Sequence, residues 1–251
     1  MIPAFRVALV LSLAAWAFSA HPVRGQTGDT KIDVFGLFAL PGDFSGTATY
    51  ATRYVSRGFD LNGGRSTPQI FIEYDHPLGF YANVFASRAR YFNLGAELDY
   101  NAGYRASAGK FSYDIGLYYY SYPGSPHDLH VNYRELGAKL AWDLGWVTPN
   151  LEAYVSDDYF FGAGKSIFVN AGPDVLLPLD LTLAARLGYL GVEDNAKFIY
   201  PNYFTWTFAL SREIAGFVVA LQYSNTTIER SECLGENVCA DKFLVRVGKS
   251  F

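Results

Sequence analysis

The sequence predicts an all-β fold, a closed antiparallel transmembrane β-barrel of about 12 strands. Three observations point to it. Apolar residues recur at every second position in runs of about ten residues along almost the whole chain, the period of a strand with two different faces. Clusters of Gly, Pro, Asn and Asp separate the runs, as turns require. The composition is 17 % aromatic with 24 glycines and a single methionine, which suits strands and turns better than helices. Past the N-terminus no stretch of eighteen residues lacks a polar group, so the body of the chain contains no helical membrane span.

The first 25 residues read as an export signal. Arg6 supplies the positive charge, and Val7 to Phe18 form an apolar core, with Val7, Leu9, Leu11 and Leu13 at its centre. That core is too short for a stop-transfer helix. Small residues at Ala17, Ala20 and Gly25 offer cleavage points anywhere from 17 to 25. Residues 26–43, "QTGDTKIDVFGLFALPGD", form a leader with a short apolar stretch. It is expected either to lie on the periplasmic rim or to tuck into the barrel mouth as a plug.

The barrel is expected over 44–251. The alternating runs fall at 44–57, 67–76, 79–89, 94–105, 109–122, 130–143, 146–156, 165–177, 180–191, 201–213, 215–225 and 241–251. In "LGAELDYNAGY", Leu94, Ala96, Leu98, Tyr100, Ala102 and Tyr104 share one face, while Gly95, Glu97, Asp99, Asn101 and Gly103 share the other. "DLTLAARLGYL", "YFTWTFALS" and "AGFVVALQYSN" divide in the same way. An even number of such strands, each long enough to cross a bilayer at a tilt, is the pattern of an outer-membrane barrel. Closure also removes the exposed edges that these strands would otherwise carry. "DHPLG", "RASAG", "DLGW", "PLD" and "EIAG" read as short turns on the side of the termini, expected to be periplasmic. The segments near 58–66, 157–164, 192–200 and 226–240 read as longer outward loops.

Alternating strands also build soluble sandwiches and lipocalin-like barrels. Aromatic residues near the ends of the apolar faces, charges on the opposite faces and the terminal Phe251 favour the membrane form. Phe243, Val245, Val247 and Phe251 share a parity and look like the signal read by the outer-membrane barrel assembly machinery.

With the apolar parity toward lipid, the other parity lines the pore. The candidates are Arg53, Glu73, Glu97, Asp99, Asp114, Glu135, Lys139, Glu152, Asp174, Arg186 and Arg246, joined by Asp75 and Arg57. Charges belong inside because Arg or Lys at mid-membrane on the lipid face costs about 2–4 kcal/mol. Twelve strands lie between the barrels that side chains fill and those that hold an aqueous channel. Arg134 breaks the pattern, sharing its parity with Leu136, Ala138 and Leu140. Either a snorkelling side chain or a bulge would accommodate it.

Cys233 and Cys239 are the only cysteines. They sit in one polar loop beyond an export signal, where a disulfide can form. A formal charge of -4 leaves no nucleic-acid footprint, and the scarcity of His, Cys and Met argues against a metal. No cofactor is expected. "SPHDLH", Ser125 to His130, gathers Ser, Asp and two His but lacks the strained elbow of a hydrolase nucleophile, so the chain is not expected to be an enzyme.

Five segments carry a resemblance. "ATRYVSRGFD" at 51–60, "YDHPLGFYANVFAS" at 74–87, "YDIGLYYYSYPG" at 113–124, "DDYFFG" at 157–162 and the closing "VRVGKSF" resemble, in order, segments of the TorF family of proteobacterial outer-membrane porins. Together they span nearly all of 44–251. Arg53 departs from the family, which usually carries an acid before this Tyr. The resemblance implies an outer-membrane barrel of a Gram-negative bacterium that acts as a channel. The expected function is passive diffusion of small hydrophilic solutes or ions, the expected surroundings outer-membrane lipid. The alternatives are a structural or adhesion barrel without an open pore and, further off, an outer-membrane hydrolase.

Overall fold

A computed structural model of the chain describes residues 31–34, 38–233 and 238–251. Among them, twelve strands close into one antiparallel barrel. In chain order these are β1 (Asp43–Ala51), β2 (Thr67–Asp75), β3 (Phe80–Ala89), β4 (Gly95–Ala108), β5 (Phe111–Ser121) and β6 (Tyr133–Trp142). They continue as β7 (Val147–Ser156), β8 (Ser166–Leu177), β9 (Leu181–Val192), β10 (Tyr203–Ile214), β11 (Phe217–Thr226) and β12 (Lys242–Ser250). Each strand pairs with its neighbour in sequence. β12 then pairs with β1 from Arg246↔Ala51 to Ser250↔Thr47 and removes both edges. All twelve predicted runs find a strand. The first ends at Ala51, six residues short of its predicted end at 57, because the chain turns inward beyond that point.

The faces are inverted relative to a soluble sheet. On β5, Phe111, Ile115, Leu117 and Tyr119 are exposed, Leu117 at 66 %, while Asp114, Tyr118 and Tyr120 are buried at 5 % or less. Exposed apolar residues on every strand continue this outer band, among them Tyr50, Ile72, Val84, Trp142, Leu187 and Phe208. An apolar exterior around a charged interior is stable only where lipid replaces water outside.

Both barrel ends of the chain and five short turns, at 76–79, 109–110, 143–146, 178–180 and 215–216, gather at one end, the termini end. The six longer connections, at 52–66, 90–94, 122–132, 157–165, 193–202 and 227–241, gather at the other, the loop end. The "RASAG" turn is tighter than predicted: β4 runs on through Ala108, and Gly109 makes the reversal with φ +64°. At the seam, the Phe251 amide donates to Gly46 O at 3.0 Å and the Gly46 amide donates to Phe251 O at 2.9 Å. A Cβ at Gly46 would lie 2.6 Å from the Phe251 ring. The Phe251 ring therefore lies over the space left by the missing side chain of Gly46.

Within the leader, Lys31–Val34 and Phe38–Pro41 pair antiparallel. The Tyr74 hydroxyl donates to Pro41 O at 2.9 Å, tying the leader to the termini end. The expected signal segment, with Val7, Leu9, Leu11 and Leu13, lies outside the described residues.

Candidate functional site in the barrel lumen

Strand parity carries the polar side chains inward, where two chemically different layers form. In the termini half the layer is ionic. Arg105 donates to Glu73 at 3.1 and 2.6 Å and lies over the Tyr81 ring at 4.0 Å, with Asp75 at 3.8 Å. The Tyr81 hydroxyl donates to Asp114 at 2.8 Å. Arg186 pairs with Asp174 at 2.7 Å and donates to the carbonyls of Pro173 and Ala185, and Asn150 donates to Asp174 at 3.1 Å. Lys139 lies over the Tyr118 ring at 5.1 Å. Arg246 is buried in the same half. Charges as buried as Arg186 and Asp174 persist when paired and hydrogen-bonded.

Glycines make room for the next layer. A Cβ on Gly116 would fall 2.6 Å from the Tyr81 hydroxyl, and one on Gly137 would fall 2.7 Å from both the Tyr118 and Tyr154 rings. Each ring thus occupies the space that a missing side chain leaves one or two strands away. Above them the loop half is aromatic. Tyr120 stacks on Tyr133 with centroids 4.5 Å apart, Tyr133 meets Tyr159 at 4.7 Å, and Tyr122 meets Phe160 at 5.6 Å. Two acids lie among these rings: Glu97, which accepts from the Tyr54 hydroxyl at 3.0 Å, and Asp99. Glu152 accepts from the Tyr154 hydroxyl at 3.1 Å.

The β1–β2 connection, 52–66, enters this aromatic layer. Val55–Ser56 pairs with Phe59–Asp60, leaving Arg57 and Gly58 at the tip with φ of 47° and 88°. Arg57 reaches the far wall and forms a two-pronged ion pair with Glu135 on β6, at 2.8 and 2.5 Å. Its guanidinium lies 4.5 Å from the Phe168 ring, 5.4 Å from Tyr154 and 5.8 Å from Tyr159. The Tyr203 hydroxyl donates to Arg57 O at 2.9 Å, and the Lys242 ammonium donates to Gly58 O at 2.5 Å. A Cβ on Gly58 would fall 2.3 Å from Thr226, so glycine alone fits the tip. Beneath it a small polar cleft is lined by Arg57, Phe168, Asn170, Arg186, Thr207 and Gln222.

Of the predicted pore-lining residues, Glu73, Glu97, Asp99, Asp114, Glu135, Glu152, Asp174, Arg186 and Arg246 are buried inside the barrel, and Lys139 is half-buried. Arg53 is elsewhere. It follows the end of β1, keeps its side chain 35 % exposed and pairs at 3.0 Å with Asp60 of its own loop. Strand parity has no force beyond Ala51, so the alternation does not place Arg53 on either face. Arg134 sits in regular register opposite Tyr119, without a bulge, and pairs outside the barrel with Asp157 at 2.6 Å. That cation holds the Asp157 carboxyl below its ordinary range through a hydrogen bond.

Arg105, Tyr81, Tyr154 and Phe168 were not predicted as site residues. Arg105 continues the parity of Glu97, Asp99, Asn101 and Gly103 and was legible from it. Phe243, Val245 and Val247 face outward, and Phe251 is 72 % exposed. Cys233 and Cys239 form a disulfide in the 227–241 loop. The Ser125 hydroxyl donates to Tyr122 O at 2.8 Å.

Solved structures share this architecture. The KdgM porin aligns with a TM-score of 0.54 and 13 % identity, over 82 % of this chain and 98 % of its own. The KdgM porin in complex with disordered oligogalacturonate aligns with the same values. OprD of Pseudomonas aeruginosa aligns over 84 % of this chain and 66 % of its own, at 12 % identity and a TM-score of 0.44. At such identities the likeness to KdgM is one of fold. No curated protein matches the sequence. Over residues 38–251, the whole of the barrel, the sequence matches the Gcw_chp family of bacterial proteins of unknown function, and the chain belongs to that family.

Proposed function

We propose that this chain is a porin-like channel of a Gram-negative outer membrane, passing small hydrophilic solutes or ions by passive diffusion. One observation carries the reading: a closed barrel with apolar side chains outward and polar side chains inward, titratable ones among them on most strands. A structure of that kind is stable only across a bilayer. The resemblance to the TorF porins and the shared fold with KdgM support it. In this reading the loop end faces outward and the termini and leader lie in the periplasm. Phe251 and its parity partners present the assembly signal, and residues 1–25 direct export. KdgM is known in complex with oligogalacturonate, a polyanion. Here Glu97, Asp99, Glu135 and Glu152 stand in the loop half, so neutral or cationic solutes suit this lumen better.

Reconstitution in planar bilayers tests the proposal. Stepwise conductance from protein that runs faster unboiled than boiled on a detergent gel is the expected result. A folded barrel without conductance in any salt would instead support a structural barrel, a reading favoured by the aromatic packing of the loop half.

A further inference from the structure

The seat of Arg57 has the chemistry of a ligand site. A carboxylate presents both oxygens to a guanidinium, and three rings surround the same cation at 4.5 to 5.8 Å. Two-pronged carboxylate pairing and aromatic faces are the two ways proteins select a planar organic cation over a small hydrated one. The seat belongs to the barrel wall and the loop after β7: Glu135 on β6, Tyr154 on β7, Phe168 on β8 and Tyr159 beyond β7. Its occupant belongs to another element, the tip of the 52–66 loop. Arg57 is held there in a left-handed backbone conformation that residues with a Cβ disfavour.

We propose that this seat is a binding site for guanidinium-bearing solutes, and that Arg57 is an internal mimic of such a solute, keeping the loop in the lumen until a free guanidinium compound displaces it. The site lies on the diffusion path of the proposed channel, and the inference rests on that reading for its role in transport. The bonds exchanged are alike: one guanidinium leaves Glu135 as another arrives. Release of the tip would free the upper lumen, and the neighbouring Glu97 and Asp99 would favour a cation during the exchange.

The test titrates ethylguanidinium into the full-length protein in detergent micelles by calorimetry, with sodium as the control cation. Arg57→Ala should bind it at least about tenfold more tightly than wild type, because the competing internal ligand is gone. Adding Glu135→Gln to that variant should remove most of the gain. Equal binding by wild type and R57A, or a gain that survives E135Q, would overturn the assignment. Should R57A fail to fold, judged by loss of its faster unboiled migration, wild type supplies the answer through hydrogen exchange. Ethylguanidinium, but not sodium, should speed exchange of the 52–66 amides, and an unchanged rate would overturn the proposal. Binding without conductance in bilayers would reject the channel and leave the site standing. Conductance without binding would do the reverse.

Discussion

In the half of the lumen near the termini, space is filled by ion pairs; in the half near the loops, it is filled by rings. Arg186 with Asp174 closes between adjacent strands of the wall, and Arg105 with Glu73 closes over the one strand between them. Tyr120 stacks on Tyr133 of the adjacent strand, and Tyr133 and Tyr203 meet rings of the connections, Tyr159 and Phe59. Among the described residues, the ion pair of the loop half that reaches from a connection to the wall, Arg57 with Glu135, is brought by a loop. Charges on the wall satisfy one another locally and leave the geometry of the barrel alone. Rings need volume, which glycines on nearby strands provide, and they need something to pack on, which the inward loop supplies. The termini half is therefore where charge pairs on the wall, and the loop half is where rings and the inward loop fill the lumen.

The contrast can be broken at graded cost. Asp174→Ala strips Arg186 of its carboxylate while leaving the cation buried, and should destabilise the barrel by about 3–5 kcal/mol. Urea titration in detergent, read by the unboiled gel shift, would detect it; a loss under about 1 kcal/mol would mean that water already solvates this half. Leu117→Arg places a charge in the middle of the outer band and should cost about 2–4 kcal/mol in lipid vesicles. A neutral outcome there would place Leu117 outside the bilayer. Gly137→Val pushes a methyl into the Tyr118 and Tyr154 rings and should cost about 1–3 kcal/mol. The same titration should show its loss eased by Tyr118→Ala, since the two compete for one space. Arg134→Ala should leave the midpoint unchanged, because its pair with Asp157 is fully exposed and screened by solvent.

The arrangement of the wall was legible along the chain. Alternation at 94–104 identified Glu97 and Asp99 as inward and Tyr100 as outward, and burial follows that division. The parity rule does not extend to Arg53, two residues beyond the end of β1, where the backbone no longer alternates. It also could not choose among inward arginines. Arg57 and Arg53 have the same parity in the sequence, yet Arg53 stays with Asp60 in its own loop while Arg57 crosses to Glu135. The tyrosines of 113–122 divided correctly into outward and inward sets, but their partners came from other strands. Tyr118 faces Tyr154 and Gly137, and Tyr120 faces Tyr133.

Alone, the sequence determined the number of strands, which side chains face out and where the turns fall, because each depends on residues within about ten positions of one another. Only the tertiary structure decided that the 52–66 loop folds inward and which carboxylate its arginine meets. Arg57 and Glu135 are 78 residues apart, and nothing local links them until β12 pairs with β1 and the closed wall sets the distance between them.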